Sequence, residues 1–148
     1  MNIWIDGDGF PARQREIALQ AAIRGHIAVT VVSDRLLRVP DSSLVRQIVV
    51  KQGDDSADDA IASSVSPGDL VITRDILLME RCIEMGARCI DHVGSVTTKE
   101  NISERVSVRA AMVAYREYGG TVAPKRKDDQ KQRQAFANTL VKELAGRM

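Results

Sequence analysis

Ile3-Trp4-Ile5-Asp6-Gly7-Asp8-Gly9-Phe10-Pro11 opens with a short apolar run that leads into two acids, Asp6 and Asp8, each followed by a glycine. The segment that follows, from about Ala12 to Arg24, carries Ile17, Leu19, Ala22 and Ile23 at spacings that place several on one helical face. The order is therefore strand, loop, helix. Gly25 fits a helix stop, and Ile27-Ala28-Val29-Thr30-Val31-Val32 is dense in β-branched residues, as a buried strand requires.

The same grammar repeats downstream. Arg35 to Ser43 contains Pro40 and reads as irregular, whereas Val45 to Val50 reads as a strand closed by Gly53. Asp54 to Val65 has helical periodicity through Ala57, Ile61 and Val65, with cap candidates at Asp54, Asp55 and Ser56. Pro67-Gly68 marks a turn before the strand Asp69-Leu70-Val71-Ile72-Thr73, after which Asp75 precedes a helix over Ile76 to Met85. Ala87 to Ile90 is a further short strand. Alternation of this kind predicts an α/β fold of three layers, with a mostly parallel sheet covered by helices on both faces. Beyond Gly94 the pattern turns helical, with Ser103 to Tyr118 and Asp129 to Leu144 separated by Gly119-Gly120 and a loop at Pro124 to Lys127.

At 148 residues the chain has the size of one domain, with enough core to need no disulfide or metal staple. Its 44% hydrophobic content and net charge of +1 exclude an intrinsically disordered chain, and no apolar run approaches a membrane span. The N-terminus lacks a basic region followed by a long apolar stretch, so the cytoplasm is the expected compartment. Cys82 and Cys89 fit neither a redox nor a zinc spacing and read as buried free thiols; His26 and His92 show no ligand spacing either. Charge is unevenly distributed. Residues 1–100 carry 11 Lys and Arg against 15 Asp and Glu, while residues 101–148 carry 10 against 5. The sharpest basic run is Lys125-Arg126-Lys127, followed by Lys131 and Arg133.

In a parallel α/β sheet, ligands gather outside the carboxyl ends of the strands. Asp6 and Asp8 follow the first strand, Asp75 follows the strand ending at Thr73, and Asp58 and Asp59 occupy the first turns of the helix after Gly53. Taken singly, each acid has a capping explanation: Asp6 and Asp8 for a turn, Asp58 and Asp59 for the positive end of a helix dipole, Asp75 for its own helix. Taken together, carboxylates delivered to one edge repel one another unless a hard cation such as Mg²⁺ or Mn²⁺ neutralises them. Two lookalikes fail. Gly7-Asp8-Gly9-Phe10-Pro11-Ala12 fits a dinucleotide fingerprint, but its acids would repel a pyrophosphate; a calcium loop beginning at Asp6 lacks an acid at its fifth position and has Ile17 at its twelfth.

Two family resemblances bear on function. Asp6-Gly7-Asp8-Gly9 after a strand, with Gly53-Asp54 and Asp58 downstream, resembles haloacid-dehalogenase phosphatases, which implies Asp6 as nucleophile and Asp8 as acid/base. This chain is short for that family and its late acids come too early. The second resemblance spans nearly the whole chain. Asp6 to Pro11, Leu37-Arg38-Val39-Pro40, Ala57-Asp58-Asp59, Pro67 to Asp75 and Arg133-Gln134-Ala135-Phe136-Ala137-Asn138 occur in order and resemble the YaiI/YqxD family of uncharacterised bacterial proteins, although that family commonly has alanine and cysteine where Gly9 and Phe10 stand here. The family is in turn similar to PIN-like and NYN nucleases, which cleave RNA with aspartates around Mg²⁺ or Mn²⁺. What this resemblance implies is a single PIN-like domain over residues 1–148, with a basic loop and C-terminal helix at about 124–148. It implies Asp6, Asp8, Asp58 and Asp75 as catalytic metal ligands, with Asp59 as a further ligand. Arg38 and Arg74 are candidate phosphate contacts. Lys125, Arg126 and Lys127 would attract the backbone of RNA or another phosphate-containing ligand. The rival expectation is a noncatalytic module that binds metal, nucleotide or RNA.

Overall fold

The computed structural model describes residues 1–53, 56–121 and 129–146. Six strands form one sheet: β1 (Asn2–Asp6), β2 (Ala28–Ser33), β3 (Val45–Val49), β4 (Leu70–Ile72), β5 (Arg88–Ile90) and β6 (Val96–Thr97). Their order is β3-β2-β1-β4-β5-β6. All neighbouring pairs are parallel except β5 with β6. Five helices accompany them among the described residues: α1 (Ala12–Arg24), α2 (Ser56–Ser64), α3 (Ile76–Glu84), α4 (Ile102–Glu117) and α5 (Asp129–Ala145). The architecture is the expected three-layer α/β arrangement, consistent with a PIN-like fold.

Period-two alternation sorts the strand residues onto two cores. Ile3, Ile5, Val29, Val31, Leu70, Ile72 and Ile90 pack on one face with Ala18, Leu19 and Ala22 of α1 and Phe136, Leu140 and Leu144 of α5. Trp4, Val32, Val71 and Cys89 pack on the other with Ala57, Ile61 and Ala62 of α2 and Leu78, Met79, Cys82 and Ile83 of α3. Both cysteines are free and buried. Burial pushes the Cys82 thiol up to about 12 and raises that of Cys89 as well, which keeps both as inert thiols. At the foot of the sheet, buried Asp69 accepts from Asn2 N at 2.9 Å, Trp4 Nε1 at 3.0 Å and Ser66 N at 2.9 Å, tying the start of β1 to the turn before β4.

Three local features depart from the sequence expectation. The two-residue β6 escapes periodicity because it is shorter than one alternation. Helix α4 forms, yet no side chain in it is fully buried. Gly25 does cap α1, but His26 is the residue that takes the left-handed conformation, at φ 54°. No helix among the described residues is long and apolar enough to cross a membrane.

Candidate functional site

Strand order reverses between β1 and β4: the chain leaves β1 toward β2 and β3 on one side and returns through α2 to β4 on the other. The carboxyl ends of these strands therefore frame a crevice at the switch point. It is a cleft of about 770 Å³ lined by Asp6, Asp8, Asp34, Asp58, Asp75, Lys51 and Arg74, with Gly9, Gly53, Val50 and Ala57.

Backbone pairing that runs past the formal strand ends fixes the rim. Gly7 N donates to Val32 O at 2.8 Å, Val50 N to Ser33 O at 2.9 Å and Thr73 N to Ile90 O at 3.1 Å. Gly7 is closely packed: a Cβ there would stand 2.9 Å from Leu37 Cδ1 and 3.1 Å from Ser33 Cβ, so a side chain would require these neighbours to shift. Gly9 turns the loop with φ +74°.

Asp6 is the buried member of the set, at 8% exposure. Thr73 Oγ donates to its Oδ2 at 2.8 Å, and the Asp75 backbone N–H donates to Thr73 Oγ at 3.0 Å, so a polar chain crosses from β1 to β4. Burial lifts the Asp6 carboxyl from its ordinary 3.8 to about 6; the Thr73 hydroxyl and the Asp8 backbone N–H pull it down, while the charges of Asp8 and Asp75 push it up. Asp8 is held from the neighbouring strand, where Asp34 N lies 3.1 Å from both of its carboxylate oxygens. Asp75 caps α3, its Oδ1 accepting from Leu77 N at 2.9 Å and Leu78 N at 3.4 Å. The capping explanation is thus observed for Asp75, while its cleft position holds at the same time.

Four of the expected acids, Asp6, Asp8, Asp58 and Asp75, line this one cleft, and so does Arg74. Asp59 does not. It sits on the outer side of α2, where Arg81 Nη1 pairs with it at 2.9 Å. Arg38 is exposed on the segment between β2 and β3, away from the cleft lining. Lys125, Arg126 and Lys127 lie outside the described residues. Lys131 is exposed on α5, and Arg133 lines a separate groove with Arg13 and Arg24 between α1 and α5. Asp34 and Lys51 are cleft residues that the sequence reading passed over. The signal for Asp34 was the one that found Asp6 and Asp75, an acid just past a β-branched strand.

Among the described residues, no three His, Cys, Asp or Glu side chains stand together as a ready-made metal cage. The hydrogen bonds explain this: Asp75 turns to its helix and Asp8 to the Asp34 amide.

A family model described as uncharacterised, the YaiI/YqxD family, matches residues 4–146. The chain belongs to the YaiI/YqxD family. Relatives named UPF0178 protein extend across its length: that of Thioalkalivibrio sulfidiphilus is 41% identical over 147 residues, covering 99% of this chain and 100% of the relative. Those of Syntrophobacter fumaroxidans and Xanthomonas campestris are 37% and 41% identical, covering 99% and 97% of this chain and 96% and 89% of theirs. No solved structure matches this YaiI/YqxD member.

Proposed function

We propose that this protein is a divalent-metal-dependent phosphodiesterase acting on RNA. The observation that carries the reading is the delivery of Asp6, Asp8, Asp58 and Asp75 to one cleft at the switch point, in a mixed setting with Arg74. The charge of Asp8 acts on Asp6, and one or two of Asp6, Asp8, Asp58 and Asp75 at a time would share Mg²⁺ or Mn²⁺ with water and substrate phosphate. What the ion supplies when bound is charge neutralisation at a phosphate and a lowered pKa for water. The chain's own part is positional. Thr73 orients Asp6, the Asp34 amide orients Asp8, and Arg74 offers guanidinium donors to phosphate from the rim. Lys125, Arg126 and Lys127 add nonspecific attraction for the backbone.

The test is hydrolysis of labelled RNA in Mn²⁺ by the wild type, by Asp8→Asn and by Asp75→Asn. Both variants are expected to lose activity by at least about a hundredfold, in line with the loss of an electrostatic catalytic group, with melting temperatures in chelator close to wild type. Asparagine keeps an acceptor for the Leu77 amide and for the Asp34 amide, so neither fold contact is lost. Saturable RNA binding without product, in wild type and variants alike, would favour the noncatalytic module, a reading supported by the engagement of Asp75 in its helix cap.

A further inference from the structure

Read across the strands, the carboxyl edge has a definite order of charge. Lys51 follows β3, Asp34 follows β2, Asp6 and Asp8 end β1, and Arg74 and Asp75 follow β4. All of them line the same cleft. The order is cation, acid, acids, and then a cation beside an acid. β3 and β4 are three strand spacings apart, which sets Lys51 and Arg74 about 14 Å from each other along the edge.

Neither cation is engaged by the acids between them. Among the described residues, no carboxylate lies within ion-pair distance of Lys51 or Arg74, although both share the cleft with five aspartates. Arg74 is next to Asp75 in sequence, yet the Asp75 carboxylate faces the amides of α3, and one Arg74 nitrogen reaches Gly9 O at 3.3 Å instead. A phosphate monoester or a lone nucleotide seated at Asp6 and Asp8 can use one of these cations. A strand of linked phosphates can use both.

We infer that the cleft receives a nucleic-acid strand laid across the β-strands, with Lys51 holding a backbone phosphate on one flank of the carboxylates and Arg74 holding another on the opposite flank. The inference rests on the phosphodiesterase reading for the phosphate between them, and it adds a direction of passage and a residue, Lys51, that recognises substrate. A ligand along the strand direction would meet one cation only.

The experiment compares wild type, Lys51→Gln, Arg74→Gln and the double variant on dodecauridylate and on the dinucleotide UpU. Binding is followed by fluorescence anisotropy in Ca²⁺ and cleavage in Mn²⁺. Both side chains are exposed, so melting temperatures are expected to match wild type. Each single variant is expected to bind the dodecamer about fivefold more weakly at 0.1 M salt and to reduce the salt slope by about 0.7, and the double variant by about 1.4. UpU, too short to reach both flanks, is expected to lose affinity in one single variant at most and to show no further loss in the double. Unchanged affinity and slope in both single variants would overturn the inference. So would equal losses on UpU and the dodecamer, or a wild type that binds neither. Failure of the hydrolase reading looks different: wild type binds with the two-cation salt slope and yields no product.

Discussion

Two aspartates mark the opposite ends of β1. Asp69 lies against its start and Asp6 closes it, and they are almost equally buried, at 5% and 8% exposure. Their surroundings differ in kind. Asp69 receives three N–H donors, from Asn2, Trp4 and Ser66, and ties two strands and a turn together. Asp6 receives the Thr73 hydroxyl and the Asp8 amide, but burial first, and then the charges of Asp8 and Asp75, outweigh these donors and raise its carboxyl to about 6. Two carboxylates of almost equal exposure thus differ in how their burial is offset: three N–H donors surround Asp69, whereas Asp6 has two donors and two like charges beside it.

The same substitution should act with opposite sign at the two positions. Asp69→Asn replaces one acceptor oxygen by an NH₂ group, which must face either Asn2 N or the Trp4 and Ser66 donors, so at least one buried donor loses its partner. The expected loss is about 2–4 kcal/mol, or roughly 4–16 °C in melting temperature for a chain of this size. Urea melts at pH 7.5 give the free energy directly. A variant as stable as wild type would remove the distinction drawn between the two ends.

Asp6→Asn is the next largest effect and should stabilise. Asparagine keeps one acceptor oxygen for the Thr73 hydroxyl or the Asp8 amide, and against the donor given up the cost of holding a charge in a buried, acid-flanked place disappears. A carboxyl raised from 3.8 to about 6 corresponds to at most about 3 kcal/mol. The sign follows from proton linkage: between these values the folded state holds the proton that the unfolded state has released, so wild-type stability falls as pH rises toward 6. The gain from Asp6→Asn should therefore be full above pH 6, shrink as pH falls, and vanish below about 3.8. Chemical denaturation in chelator across pH 4–8 measures it. A gain independent of pH would mean that packing, and not the carboxylate charge, separates the variant from wild type.

This contrast also shows what the sequence could carry. Strands and helices were legible because β-branched runs and 3.6-residue periodicity are local signals, and α1 begins and ends where its pattern says, at Ala12 and Arg24. The convergence of Asp6, Asp8, Asp58 and Asp75 was legible from strand ends and the parallel topology they imply. Asp34 obeys the same rule, one residue past β2, and Lys51 stands two past β3; neither lies in a motif, so only the sheet topology brings them to the cleft. Asp59 and Arg38 lie where local sequence carries no directional signal. Asp58 and Asp59 are adjacent, and whether a helix turns one or the other toward the sheet edge depends on its rotation, which the pairing of Asp59 with Arg81 on α3 reveals only in three dimensions. Arg38 lies on an irregular segment whose path has no periodicity to read. The role of Asp69 was equally hidden, since its partners are 67, 65 and three residues away.

The smallest effect tests the boundary of the cleft. Asp59 neighbours Asp58 in the chain but belongs to the surface, with its side chain 67% exposed and its partner Arg81 47% exposed. An exposed pair of this kind contributes under about 1 kcal/mol, because solvent screens the charges and both side chains give up rotamer freedom. Asp59→Asn should accordingly shift stability by no more than this, lose what shift it has in high salt, and leave Mn²⁺-dependent RNA hydrolysis at the wild-type rate. Asp58→Asn, one residue away and lining the cleft, should lower that hydrolysis by at least about tenfold, the mark of a ligand or positioning group, with no larger change in stability. The pair of variants is informative because helix position, dipole and sequence context are nearly shared, and what differs is the direction each carboxylate faces. Equal loss of hydrolysis in both would return Asp59 to the ion-binding set and would mean that α2 rotates when substrate arrives. Loss in neither would narrow the working carboxylates to Asp6, Asp8 and Asp75, the three delivered directly by strand ends.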